Sequence, residues 1–135
     1  MPNNVEKLLQ GIESANSAMK SDHARLREAF EKIDGRINAM GAGSRIEPFA
    51  AGKGGAVIGF RRYHTGWHIT TVITGIGGIE SEIPATEASP SLQIELVPHV
   101  ATVLDKLHEA ISSEGKKAAS ARKEADKLVD AVKAT

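Results

Sequence analysis

The chain contains no cysteine and few aromatic residues, with one Trp, one Tyr and three Phe among 135 residues. The lack of cysteine excludes disulfides, thiolate catalysis and cysteine-ligated zinc. The rings are also too few for the base-stacking ladder of a protein that binds single-stranded nucleic acid. The composition therefore excludes functions that need cysteine and argues against extended base stacking.

A net charge is absent as well, since 17 basic side chains balance 17 acidic ones. The signs also balance locally, with six of each in residues 5–40, four in 41–88 and seven in 89–135. Proteins that bind nucleic acid through its phosphates usually carry a basic excess. Nucleic acid is therefore a less favoured partner than protein.

The chain also lacks long apolar runs. None reaches the roughly 18 residues that a membrane-spanning helix needs, and the first residues show no apolar signal-peptide core. We therefore expect a cytoplasmic protein with no membrane partner.

What the chain does contain is an uneven distribution of glycine, since ten of its 13 glycines fall between Gly41 and Gly78. Apolar residues recur at steps of three and four on both sides of that segment, which is the spacing of amphipathic helices. We therefore predict an α+β fold that forms one structural unit. Its parts are an N-terminal helix over 1–40, a Gly-rich, three-stranded antiparallel β-meander over 41–88, and a C-terminal helix with an Ala-rich end over 89–135.

The N-terminal stripe follows heptad spacing, which is typical of coiled-coil packing. A continuous helix over 5–40 would be about 54 Å long at about 1.5 Å per residue, whereas a globule of this size is only about 30 Å across. The length favours a seam between copies over a helix that covers a core within one chain. The predicted seam residues on this helix are Leu26, Phe30, Ile33 and Ile37.

The C-terminal helix has a start signal at Ser89-Pro90, an N-cap hydroxyl followed by proline in the first helical position. The alternation of apolar residues over 91–97 also permits a strand, but the start signal favours a helix. Pro98 should kink or break that helix. Its predicted oligomerisation residues are Leu104, Leu107 and Ile111.

The stretch 56–74 predicts a β-hairpin, because β-branched and aromatic runs flank Thr65-Gly66. A turn centred there would pair Tyr63 with His68. Faces alternate along each strand, so the apolar face carries Ile58, Phe60, Trp67 and Ile69. A third strand should run from Ile79 to Ile83.

The opposite face of the hairpin and its tip carry the candidate binding residues. Arg, Tyr and Trp are enriched at binding hot spots, and residues 45–68 contain four basic groups against one acid. We predict Trp67 to be mainly structural, because it shares the apolar face. The predicted binding residues are Arg61, Arg62, Tyr63, His68 and Lys53.

The sequence contains only weak matches to ligand-binding and metal-binding motifs. Gly52-Lys53-Gly54-Gly55 lacks the first glycine and the Ser or Thr of a P-loop, and Gly75-Ile76-Gly77 lacks the third glycine of the dinucleotide pattern. His64 and His68 fall on opposite faces of the predicted hairpin, so they cannot chelate one ion. We predict no metal, no cofactor and no catalytic residues.

The favoured function is a non-enzymatic, homo-oligomeric binding protein, either an adaptor or an inhibitor of another protein. One alternative is a protein that sequesters a nucleotide-like small molecule at a subunit junction. Another is an accessory protein that binds nucleic acid. The Trp-bearing hairpin before a Leu-rich helix resembles short phage and bacterial proteins, a resemblance that implies no particular function.

Overall fold

The computed structural model describes residues 2–41, 43–51 and 55–134. It confirms an α+β fold with a long helix at each end and an antiparallel sheet between them. In chain order the elements are α1 (Pro2–Ala39), β1 (Ile46–Ala51), β2 (Ala56–Tyr63), β3 (Gly66–Thr74), β4 (Glu80–Pro84), α2 (Pro90–Leu96) and α3 (Val100–Ala134).

The described residues form a sheet of four strands in the order β1-β2-β3-β4, so the prediction of three strands was wrong. The additional strand is β1, which contains Pro48. Proline is tolerated on an edge strand or at a bulge. Both conditions hold here, because β1 lies at the sheet edge and its register with β2 shifts between Ile46 and Phe49.

The β2–β3 hairpin turns at His64-Thr65, and its last pair is Tyr63 with Gly66. The predicted pairing of Tyr63 with His68 is therefore wrong by two residues, since His68 pairs with Arg61. A shift of two keeps every side chain on its face. The predicted apolar face accordingly survives, with Ile58, Phe60 and Ile69 fully buried.

Helical residues cover this face of the sheet and complete the core. The largest buried contributions come from Phe30 of α1, Leu96 of α2 and Val103 of α3. The Trp67 ring stacks on Phe60, with centroids 5.3 Å apart and planes 7° apart. Trp67 therefore packs against the core, as its place on the apolar face predicted.

The helix predicted over 91–97 is confirmed by α2. Ser89 is its N-cap, and the Ser89 hydroxyl accepts a hydrogen bond from the Leu92 N–H at 3.3 Å. A single 3-10 turn, Val97–His99, contains Pro98 and separates α2 from α3. Proline thus interrupts the helical run where the sequence placed the break.

Two helical arms extend beyond this core. We define them as residues 4–22 of α1 and 111–134 of α3, in which every residue is exposed. The remaining structure, the sheet with the helical segments packed on it, is called the head. None of the described helices is long and apolar enough to cross a membrane.

Candidate functional site

The most specific polar structure in the head lies where α1 crosses an open edge of β3. Strand β4 pairs with β3 over Thr70–Thr74. In the part of the chain that the structure describes, the start of β3 therefore has no strand neighbour on that side. Asn38 fills the gap: its Oδ1 accepts from the Trp67 N–H at 2.7 Å, and its Nδ2 donates to the Trp67 carbonyl at 2.8 Å. The side chain of α1 thereby replaces a strand at this edge.

Asp34, one helical turn earlier, bonds the backbone of β3 two residues further along, at Ile69. Its Oδ1 accepts a hydrogen bond from the Ile69 N–H at 3.0 Å. Four helical residues rise about 6 Å, and two strand residues rise about 6.6 Å. The spacing of Asp34 and Asn38 therefore matches that of Ile69 and Trp67.

The other carboxylate oxygen of Asp34 begins a hydrogen-bonded chain. Asp34 Oδ2 lies 3.0 Å from His68 Nδ1, and His68 Nε2 lies 2.7 Å from the Thr65 hydroxyl. The side chains of Asp34 and His68 are only 4% and 17% exposed, whereas Thr65 is exposed in the turn. The chain thus runs from a buried carboxylate through an imidazole to a hydroxyl at the surface.

Burial raises the pKa of the Asp34 carboxyl, and this outweighs the opposing effects of the Ile69 N–H and His68. When Asp34 is ionised it accepts the Nδ1–H of His68, which leaves the Nε2 lone pair free to accept the Thr65 O–H. A carboxylate, an imidazole and a hydroxyl in this order make the hydroxyl more nucleophilic.

A second polar cluster surrounds Glu82 of β4, whose side chain is only 10% exposed. The Thr70 hydroxyl donates to Glu82 Oε2 at 2.7 Å, and the Tyr63 hydroxyl donates to the Glu82 carbonyl at 2.8 Å. The guanidinium groups of Arg45 and Arg61 lie 3.4 and 3.8 Å from Glu82 Oε1. Glu82 therefore neutralises part of the basic charge that the sequence assigns to the head.

Three of the predicted binding residues, Arg61, Tyr63 and His68, do lie together on one face. The Arg61 guanidinium is 5.5 Å from the centre of the Tyr63 ring, and the Tyr63 and His68 rings meet edge to face at 5.9 Å. However, Tyr63 and His68 are half-buried and bonded within the chain, so only Arg61 among the three is exposed. Burial, followed by the nearby Glu82 carboxylate, raises the pKa of Tyr63.

The other two predicted binding residues lie elsewhere. Arg62 is exposed on the opposite face of the hairpin, where it pairs with Trp67 in the strand register. Lys53 lies outside the described residues.

The predicted oligomerisation residues divide into two groups. Phe30, Ile37 and Leu107 are buried in the core of their own chain, and Leu26 and Ile33 pack against that core half-buried. Leu104 and Ile111 remain 37% and 38% exposed. Burial within one chain leaves Phe30, Ile37 and Leu107 little surface for another copy. A seam role for the other four residues stays a prediction.

The reading of the sequence missed Asp34, Asn38, Thr65 and Glu82. One signal for the first two was present: short polar side chains one helical turn apart border the apolar stripe at Ile33 and Ile37. No local pattern links them to β3, because the contacts span 29 to 35 residues.

The described residues contain no group of three or more His, Asp or Glu side chains that could hold a metal ion. Compared with known proteins, the chain matches no family model, no curated protein and no solved structure. The function must therefore be inferred from the geometry of this chain alone.

Proposed function

We propose that this protein is a homo-oligomeric binding protein, in which the helical arms join copies and the head binds an acidic partner protein. The observation that supports this most is the exposure of large apolar residues along both arms. In α1 they are Val5, Leu8, Leu9, Ile12 and Met19, and in α3 they include Leu128 and Val129, all between 48% and 68% exposed.

In a monomer the apolar residues of both arms would be exposed to water. In proteins most helical stability comes from packing of the amphipathic face, and monomeric proteins rarely expose extended apolar patches. Both arms keep heptad spacing, and apolar residues at Leu9, Ala18, Val129 and Ala131 widen the stripe. A face of that width is typical of helices in a bundle, so we propose coiled-coil-like packing of arms from different copies.

Charge favours one arrangement of these arms. The α1 arm carries three acidic and two basic residues, whereas the α3 arm carries six basic and four acidic ones. Opposite net charges favour placing the α1 arm of one copy beside the α3 arm of another. Like arms side by side would gain no such attraction.

The proposed binding surface of the head is the hairpin tip. Arg62 and His64 are exposed there, and Arg61 is 47% exposed beside them. Among the described residues, Arg62 forms no ion pair, whereas Arg45 and Arg61 lie against Glu82. An exposed arginine without an internal carboxylate is suited to bidentate contact with a carboxylate on a partner.

Light scattering on two double variants tests the oligomer. Ile12→Asp/Met19→Asp places two charges on the apolar stripe, and Gln10→Asp/Ser17→Asp places two charges at the same seven-residue separation off the stripe. We expect the first variant to become monomeric and the second to retain the wild-type mass. A monomeric wild-type protein, or equal masses for both variants, would refute the proposal.

Affinity capture of partners with Arg62→Glu and Arg36→Glu tests the head. Both arginines are exposed, but Arg36 lies on α1 and not on the hairpin. We expect the Arg62 variant to lose an acidic partner that the wild type and the Arg36 variant retain. Equal capture by all three would exclude the tip as the binding surface.

A further inference from the structure

We propose that Thr65 is an acyl-acceptor site, whose hydroxyl is activated by His68 and takes an acyl group from a small, uncharged ester. This inference does not rest on the oligomer or on the binding surface of the head. It rests on the Asp34–His68–Thr65 chain and on the hollow into which that chain opens.

The three groups stand in the order that nucleophilic catalysis requires. Thr65 provides the hydroxyl, His68 Nε2 is within hydrogen-bond distance of it at 2.7 Å, and Asp34 lies 3.0 Å from the other ring nitrogen. Such a site is defined by two contacts, one between the nucleophile and the base and one between the base and the carboxylate that orients it. His68 is the proposed base, and Asp34 is a positioning residue.

The base is held in place before any ligand arrives. Asp34 is buried, and its Oδ1 is fixed by the Ile69 N–H. The Tyr63 ring packs edge-on against the imidazole from the strand side. Fixing the orientation of the catalytic groups in advance lowers the entropic cost of reaching the reactive geometry.

The surroundings of Thr65 indicate the class of substrate. The hollow has a volume of about 460 Å³, and its lining includes Glu31, Asn38 and Thr86 as well as the three groups. Glu31 disfavours anionic donors, and the volume of the hollow lies towards the lower end of the range for ligand pockets. Small, neutral acyl groups therefore fit best.

The proposed donors for the charge that develops during acyl transfer are backbone N–H groups of the turn. The strand ladder ends at Tyr63 and Gly66, so the N–H groups of His64 and Thr65 lie outside it. Backbone N–H groups next to a nucleophile are a common source of oxyanion stabilisation.

The step balances without a further reactant. The Thr65 oxygen bonds to the ester carbonyl carbon while its proton moves to His68 Nε2, which gives a tetrahedral intermediate. When the intermediate collapses, the bond from carbon to the leaving oxygen breaks and that oxygen takes the proton from His68. The products are acylated Thr65 and an alcohol, with no change in oxidation state.

The test is peptide mass mapping after exposure to p-nitrophenyl acetate. We expect an acetyl group on Thr65 in the wild type and in Thr65→Ser, and none at that position in Thr65→Ala. Alkaline hydroxylamine should remove it, because an oxygen ester is cleaved under conditions that spare acetylated lysine. His68→Gln should slow the modification about 100-fold or more, the usual contribution of a general base.

A measurement other than stability is needed to show that Asp34 positions His68. Asp34→Asn should slow acetylation of Thr65 and change the ¹⁵N shifts of the His68 ring, while circular dichroism shows the fold retained. The Thr65 variants lie in an exposed turn and keep the test interpretable if an Asp34 or His68 variant unfolds. No adduct on Thr65, or an adduct that forms at the same rate in folded His68→Gln, would overturn the proposal.

Discussion

The two halves of α1 carry the same three-and-four spacing of apolar residues, but only the C-terminal half is covered. Leu8 and Ile12 are 68% and 63% exposed, whereas Phe30 and Ile37 are 2% and 8% exposed. The covered half is also the half whose Asp34 and Asn38 bond the open edge of β3. The comparison shows that periodicity defines an apolar face, while a complementary surface decides which part of that face is buried.

The largest effect should come from removing a side chain in the covered half. We expect Phe30→Ala to lower the free energy of unfolding by about 3–5 kcal/mol, because it leaves a cavity in the core. Leu8→Ala should change it by only about 0.5 kcal/mol in dilute solution, where copies do not associate. Urea denaturation measures both, and similar losses for the two variants would contradict the division of α1 into two halves.

A smaller effect should follow from removing the amide that bonds the edge of β3. Asn38→Ala leaves the Trp67 N–H and carbonyl without their side-chain partner, which should cost about 1–3 kcal/mol. Arg36→Ala, an exposed neighbour on α1, is the matched control and should have little effect. If the two variants unfolded at the same denaturant concentration, the edge contact would not help to hold the C-terminal half in place.

The smallest effect that we expect is a dependence of stability on pH, which tests the role of Asp34. Because burial raises the pKa of Asp34 above its ordinary 3.8, the folded chain holds that proton more tightly than the unfolded chain does. The stability that Asp34 contributes is thus complete below the unfolded pKa and declines as the pH rises through the folded pKa.

Asp34→Asn cannot ionise and therefore serves as the reference in a series of urea denaturations from acid to neutral pH. We expect the wild type to lose stability relative to this variant as the pH rises. A relative gain over the same range would show that the contacts with Ile69 and His68 outweigh the cost of burial.

Much of the fold could be predicted because local rules determine it. Heptad spacing predicted both long helices, Ser89-Pro90 predicted α2, and alternation along β2 and β3 predicted the buried face of the hairpin. Each of these patterns lies within one helix or hairpin, so the residues that determine the local structure are close to one another in sequence.

The rest could not be predicted because it depends on contacts between distant elements. Two hairpin registers that differ by two residues give identical faces, so alternation cannot choose between them. Pro48 would disfavour a central strand, but β1 lies at the sheet edge, where proline is tolerated. The Asp34–His68 contact joins residues 34 positions apart. The sequence around either residue does not indicate that the other is its partner.

The most direct test of the account is hydrogen–deuterium exchange at two protein concentrations. We expect protection in the head to be independent of protein concentration, and protection in residues 4–22 and 111–134 to rise with it. Such a rise would show that the arms are stabilised by other copies. Arms that exchange as fast as free helices at both concentrations, beside a protected head, would contradict the claim that they join copies.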